Sequence, residues 1–279
     1  MKTEQSLKRF GQRLLVKTGL YHRLRASSVY DLYWRVADRR VIDASACEVT
    51  FYRSLLKEFT PGDVIFDVGA NEGYKTGIFL RLGAKVVAIE PDESNQRVLR
   101  QSFHERRLVK KPVVVIGNAL SDTNGTGTLW VDAPGSAKNT LSQKWVETLR
   151  HDEARFGERL NFADQKKVTT TTLDDLIAQY GRPIFVKIDV EGAEPDVLRG
   201  LHSPVPYLSF EVNLPEFRPE GLECIDLLDR IFPEGTFNYA VDCQGGFALE
   251  KWLPADRFSR AFEECHLPSI EVFWTSVRA

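Results

Sequence analysis

The sequence predicts an α/β protein built on a Rossmann-like sheet of seven mostly parallel strands, the last antiparallel, with helices added at the N-terminus. Three observations carry this reading. From residue 63 onward, short apolar runs alternate with amphipathic stretches, as strands and helices do when they follow one another. The run from Val64 to Val68 feeds a Gly-rich turn, Gly69-Ala-Asn-Glu-Gly73, and a second run ends in Glu90 roughly 20 residues later. The final stretch, Ile270-Glu-Val-Phe-Trp-Thr-Ser, alternates with period two and follows a late hairpin.

In chain order, residues 5–25 place Leu7, Phe10, Leu14, Leu15 and Val16 at helical spacing among basic residues, a short basic amphipathic helix. A second helix is expected from Asp43 to Phe59, closed by Thr60-Pro61-Gly62. That breaker separates an N-terminal extension, residues 1–60, from the domain proper, 61–279. Strands are expected at 64–68, 85–90, 113–117, 184–189, 207–212, 237–242 and 270–276, and helices at 74–82, 92–107, 173–180, 192–200 and 221–231. Asn124-Gly125 is a hairpin signal, so an extra strand is expected at 126–132. Residues 133–166 form a polar insertion with a helix at 142–156. Long insertions in compact domains are usually functional or mobile. A lid over an acceptor is one reading, and a plain surface excursion is the other.

Composition bounds the function classes. Hydrophobic content of 43% and charged content of 27% are ordinary for a globular chain, and a net charge of −2 carries no nucleic-acid signature. The charge is uneven: residues 1–40 carry ten Lys or Arg against three acids, +7, which leaves −9 for the remainder. This motivates an expectation of peripheral contact with an anionic membrane or a glycan-assembly partner. Cys47, Cys224, Cys243 and Cys265 match no metal spacing and read as reduced thiols. Lys8, Arg9, Arg13 and Lys17 interrupt any apolar leader. The expected location is cytoplasmic, peripheral to the inner face of the membrane. None of His22, His104, His151, His202 and His266 falls in a strand-end motif, and His151 in the insertion is the one to test.

The turn chemistry narrows the ligand. Dinucleotide sites begin with a glycine so that bare backbone meets a pyrophosphate. Here that position is Asp67, in Asp-x-Gly-x-Asn-x-Gly. A carboxylate repels pyrophosphate but suits a ligand with an ammonium and a sulfonium, as in S-adenosylmethionine. Asp67, Gly69, Asn71 and Gly73 are therefore assigned to that cofactor, and Glu90 with Pro91 to its ribose. An ordinary βα turn also uses Gly and Asn, but does not call for Asp67 and Glu90 around it.

The stretch Thr172-Leu-Asp-Asp-Leu, then Phe185-Val-Lys-Ile-Asp-Val-Glu-Gly-Ala-Glu, then Val197-Leu-Arg-Gly resembles the FkbM-type methyltransferases. Phe66-Asp-Val-Gly-Ala-Asn-Glu-Gly, Ala88-Ile-Glu-Pro, Asn118-Ala-Leu-Ser-Asp and Phe210-Glu-Val-Asn fall in the expected order. The resemblance covers residues 62 to 215. It implies a class I methyltransferase sheet and methyl transfer from S-adenosylmethionine to a hydroxyl of a sugar, glycolipid, polyketide or similar small molecule. It also implies that the turn at Asn118 and Ala119 lines the adenine.

The residues support the same centre independently. Ligands of open α/β sheets bind beyond the carboxyl ends of the strands at the switch point. Asp67 and Asp189 end neighbouring strands, so Asp189 faces the methyl-bearing end of the cofactor. Asp189, Glu191 and Glu211 are the catalytic candidates. Lys187 projects to the same face as Asp189 and is a partner for it or for Asp67. Glu194 reads first as a helix N-terminal acid. Asp189, Glu211 and Asn213 offer oxygen ligands of the kind Mg²⁺ takes. Only Glu211-Val-Asn213 stands where related sites carry adjacent acids, so a divalent metal is not expected. Two other classes are weighed against the enzyme. A nucleotide-binding scaffold that has lost its chemistry has no feature in its favour. A dinucleotide oxidoreductase is disfavoured by Asp67.

Overall fold

The computed structural model describes residues 39–105, 112–150 and 160–277. The expected basic helix at 5–25 and His151 lie outside the described residues.

Helix α1 (Arg39–Leu55) leads into β1 (Val64–Val68), α2 (Tyr74–Leu82), β2 (Lys85–Ile89), α3 (Glu93–Arg100) and β3 (Val113–Ile116). Then come β4 (Ala119–Leu120), β5 (Gly125–Val131), α4 (Gln143–Arg150), β6 (Asp164–Thr171), α5 (Leu173–Tyr180) and β7 (Phe185–Ile188). The chain continues through α6 (Glu194–Arg199), β8 (Tyr207–Asn213), α7 (Arg218–Ile231), β9 (Thr236–Ala240), β10 (Leu253–Pro254), α8 (Ala255–Glu263) and β11 (Ser269–Thr275). Local signals set several boundaries. Asp92 caps α3 by accepting from the Ser94 N–H at 2.7 Å. The Thr172 hydroxyl caps α5, accepting from the Asp175 N–H at 3.1 Å and donating to the Asp175 carboxylate at 2.7 Å.

The main sheet runs β10-β9-β11-β8-β7-β1-β2-β3. Strands β3, β2, β1, β7 and β8 are parallel, and β11 lies antiparallel between β8 and β9. The seven expected strands are present. The eighth, β10, is a two-residue edge on β9. Order reverses between β1 and β7, which places the switch point at Asp67 and Asp189.

Alternation along each strand splits the core in two. Phe66, Val68, Val186, Ile188, Leu208 and Phe210 face one side, with Leu173, Phe217 and Trp145 packed on them. Ile65, Phe185, Tyr207 and Phe273 face the other, under Phe51 and Tyr52 of α1 and Phe79 of α2. On this second face the apolar rows stop short of the strands' carboxyl ends. There the in-register residues are Asp67, Lys187 and Ser209, followed by Glu211 and Glu271.

Two sequence expectations are corrected. Asn124-Gly125 does turn the chain into a strand, but not into a hairpin. Strand β6 lies between β4 and β5, parallel to the first and antiparallel to the second, in a separate three-stranded sheet. Two residues of β4 offer too short a ladder to hold β5, and eight-residue β6 offers a longer one. The second correction follows: residues 164–171 belong to this sheet, so the polar insertion ends in a strand. Its Lys166, Lys167, Thr169 pattern hid β6 because one face of the small sheet is exposed.

Helix α4 buries Trp145, Val146 and Leu149. The Trp145 and Phe217 rings lie 4.9 Å apart, and Lys144 pairs with Glu220 at 2.6 Å. The helix is thus a piece of the core. Trp145→Ala is expected to cost about 3–5 kcal/mol of unfolding free energy, the range for emptying a buried aromatic site. Urea unfolding measures it. A loss under about 1 kcal/mol would mean that α4 is not bound to the domain as its burial requires.

Candidate active site

Strand β1 delivers Asp67 into the fold, wholly buried. Its Oδ2 accepts from the Thr76 hydroxyl at 2.5 Å, while Oδ1 has no protein partner. Burial pushes this carboxyl up, and Lys187 and the Thr76 bond pull against it. The next residues turn sharply. Gly69 (φ +79°) brings the turn against the end of β7: a Cβ there would sit 1.7 Å from the Asp189 carbonyl oxygen. The close approach that requires this glycine is therefore to the chain's own backbone. Gly73 (φ +91°) lets α2 start against Leu99 and Phe103. Asn71 takes a left-handed conformation, φ 48°, and its buried Oδ1 is also without a protein partner.

Glu90 closes β2. Its two oxygens accept from the Asn71 and Asp92 backbone N–H groups at 2.8 and 2.7 Å. Burial carries this carboxyl up to about 7, against those two bonds. Pro91 follows, and its carbonyl accepts from Gln96. The Glu90 N–H meets Ile116 O at 3.0 Å, which puts the β3 end and the turn at Gly117 and Asn118 beside β2. Ala119 is buried as the first residue of β4.

Beyond β7, Asp189 keeps the sheet's pairing through its N–H to Val68 O, and its carboxylate pairs with Lys187 Nζ at 2.7 Å. Burial alone would pull the Lys187 ammonium down, but Asp189, Glu271 and Asp67 hold it well above its ordinary value. Glu191 stands in the left-handed region, φ 57°, where the Thr140 hydroxyl donates to its carbonyl at 2.7 Å. Burial pushes the Glu191 carboxyl well up, and the charges of Asp189, Glu211 and Glu194 add to it. Glu211 on β8 accepts from the Ser269 hydroxyl at 2.9 Å. Burial and then Asp189 raise it to about 7. Asp189, Glu191 and Glu211 are thus brought within electrostatic reach of one another. Glu194 is drawn inward instead, accepting from the Val190 and Gly192 N–H groups at 3.0 and 3.3 Å. Burial raises it to about 8. It braces the turn.

Residues 133–142 bridge the two strands that flank β1. At one end Asp92 accepts from the Gly135 N–H at 3.2 Å and the Asn139 amide at 2.8 Å, and at the other Thr140 holds Glu191. His202 is on the surface, paired with Asp174. All four cysteines are free, with Cys47 exposed. Among the described residues, no three His, Cys, Asp or Glu side chains converge as a metal site.

The sequence reading missed Glu48, Tyr52, Lys75, Ser209, Cys243 and Glu271, which extend this polar row. One signal was present: Ser209 and Glu271 are polar residues inside apolar runs of strands covered on both faces.

A Gly-rich turn behind an acid, a second acid after β2 and a third set at the switch point stand at the carboxyl ends of neighbouring strands. The methyltransferase FkbM domain matches residues 67–229. The chain belongs to the FkbM methyltransferase family. No curated protein matches it. Solved structures it is similar to include a TehB-like SAM-dependent methyltransferase from Corynebacterium glutamicum, 10% identical, covering 88% of this chain and 98% of that one at a TM-score of 0.42. Another is the plantazolicin methyltransferase BpumL in complex with SAH, 11% identical, covering 90% and 89% at a TM-score of 0.41. An rRNA methylase from Streptococcus thermophilus is 12% identical, covering 82% and 94% at the same score.

The cofactor of this FkbM chain is S-adenosylmethionine, and its residues fit that group. The orphaned, buried Asp67 Oδ1 and Asn71 Oδ1 lack donors, which an ammonium supplies. Glu90 offers an acceptor carboxylate for ribose hydroxyls. Glu90→Ala is expected to weaken S-adenosylmethionine binding 10- to 100-fold, since charge-assisted bonds contribute roughly 1.5–3 kcal/mol each. Calorimetric titration decides, and unchanged affinity would remove Glu90 from the site.

Proposed function

We propose that this FkbM methyltransferase transfers methyl to a hydroxyl of a sugar, glycolipid or related natural-product acceptor, with Asp189, Glu191 and Glu211 as the catalytic carboxylates. The observation that carries the reading is the convergence of these three acids at the carboxyl ends of β7 and β8, beside the Asp67–Gly73 turn.

Bound S-adenosylmethionine supplies a methyl group on a good leaving group. An alcohol is a poor nucleophile until its proton is lost, so the chain must align the acceptor and take that proton. Glu211 suits the second task, because a carboxyl that titrates at about 7 is half ionised at neutral pH and more basic than an ordinary carboxylate. Asp189 suits the first: its tie to Lys187 fixes where the carboxylate points. Glu191, held by its carbonyl in a strained turn, is aimed by backbone rather than by a flexible loop. In this reading Asn118 and Ala119 border the adenine. Residues 133–150 of the insertion form a seated roof over the acceptor instead of a hinged lid, supported by their ties to Asp92 and Glu191 and by buried Trp145.

Asp189→Asn keeps the shape and removes the charge. Turnover is expected to fall about 10²-fold, the order that a small misplacement of the reacting groups costs, and unfolding free energy should fall as well, because buried Lys187 loses its contact anion. Wild-type rate should decline as pH falls below about 7, as Glu211 takes up its proton, and Glu211→Gln should abolish that limb. A chelator should leave the rate unchanged. If Asp189→Asn turns over like wild type, or if chelation stops the enzyme and Mg²⁺ restores it, this assignment is wrong.

The basic segment 1–40 is proposed to hold the enzyme against an anionic membrane surface. Each basic residue near such a surface contributes about 1 kcal/mol, screened by salt. No described helix is long and apolar enough to cross a membrane. Flotation with anionic liposomes should carry the chain at low salt and release it at high salt. A chain that never floats has no such contact.

A further inference from the structure

Two lysines, Lys187 buried and Lys75 half-buried, lie beside the residues assigned to the cofactor. Lys187 is level with Asp67 in the neighbouring strand. Lys75 lies in the first turn of α2, directly after the Gly69–Gly73 turn, where a cation opposes the helix dipole. Both ammonium groups act on Asp67. A ligand that brings a sulfonium and an ammonium is repelled by each of them. Two anions balance the lysines one for one: Asp189 meets Lys187 at 2.7 Å, and Glu48 meets Lys75 at 2.7 Å.

Glu271 is a third anion, placed between them. Its Oε1 accepts from the Ser209 hydroxyl at 2.7 Å, and Ser209 is the in-register neighbour of Lys187. Its Oε2 lies 3.6 Å from the Cys243 sulfur, which is itself 3.7 Å from Lys75 Nζ and 3.7 Å from the Tyr52 hydroxyl. Strand register puts Glu271 opposite Glu211. Its charge is felt by both ammonium groups.

We propose that Glu271 is the shared counter-ion of Lys75 and Lys187, and that the negative charge it adds sets the site's preference for a positively charged cofactor over its neutral demethylated product. Glu48, Tyr52, Cys243 and Glu271 all lie outside residues 67–229, so the chain's flanks supply this part of the site. The inference rests on the cofactor placement given above.

S-adenosylmethionine and S-adenosylhomocysteine differ by a methyl group and one positive charge, so the ratio of their affinities reads the field in the site. Calorimetry of both ligands with wild type, Glu271→Gln, Ser209→Ala and Lys75→Gln tests the proposal. Glu271→Gln should shift the ratio against S-adenosylmethionine by about tenfold, the order expected of a unit charge several ångströms away at intermediate dielectric. Ser209→Ala keeps the charge and should leave the ratio alone. Lys75→Gln, at a partly exposed position, should move the ratio the other way, and it serves if Glu271→Gln does not fold. A purely structural Glu271 predicts that both ligands weaken together. An unchanged ratio in Glu271→Gln, or in Lys75→Gln, overturns the proposal while the cofactor site stands. A wild type that binds neither ligand overturns the cofactor placement and this inference together.

Discussion

Burying Lys187 in the sheet is the constraint around which the site is organised. An ammonium removed from water is costly unless anions and hydrogen bonds replace its hydration. Here it is 5% exposed, with Asp189 in contact and Asp67 level with it across the β1–β7 pair. Each of those acids is in turn placed by a separate device. Asp67 is locked by Thr76, and Asp189 is held by backbone pairing to Val68 and by the glycine that lets the β1 turn touch it. Removing the lysine would leave buried Asp67 and half-buried Asp189 without the cation that acts on both. The loop geometry and the strand charges are therefore one arrangement.

The ladder of alternating charge also explains why the domain needs more than its motif-bearing middle. Parallel strands β7 and β8 bring Lys187, Ser209 and Glu211 to a common face, but β8 is not an edge. Strand β11 covers it, and α1 covers the row from above through Glu48 and Tyr52. The antiparallel insertion of β11 converts what would be a solvent-facing margin into an enclosed floor. From that strand the Glu271 side chain reaches Ser209 and Cys243 together.

Much of this was legible in the sequence because the signals were local. Val64 to Val68, Lys85 to Ile89 and Phe185 to Ile188 are short apolar runs ended by an acid or a turn, and each became the strand that pattern implies. Asp67, Glu90, Asp189 and Glu211 could be singled out because they stand at or beside the ends of apolar runs. The polar row was not found, for a geometric reason: Glu48, Lys75, Cys243 and Glu271 sit on four separate elements and meet only after α1 and β11 pack. Period-two alternation makes Glu271 look like an outward residue, and that rule fails when both faces of a strand are covered. Strand β6 escaped for the opposite cause. Its outward face is so polar that no apolar run announces it.

The placement of β6 has a consequence for how the chain reaches this state. Residues 119–131 turn back on themselves at Asn124-Gly125, yet apart from a single bridge between Trp130 and Thr140 neither arm has a strand partner until residues 164–171 exist to slide between them. During synthesis, β5 leaves the ribosome as an open edge and waits for more than thirty further residues. Non-local pairing of this kind slows folding, and an unpaired edge is open to the wrong partner while it waits. Thr126 and Thr128 stand on that edge with two glycines between and beside them, a stretch with few apolar side chains to offer a second chain. The small sheet is thus assembled late, around a strand whose composition makes the delay tolerable.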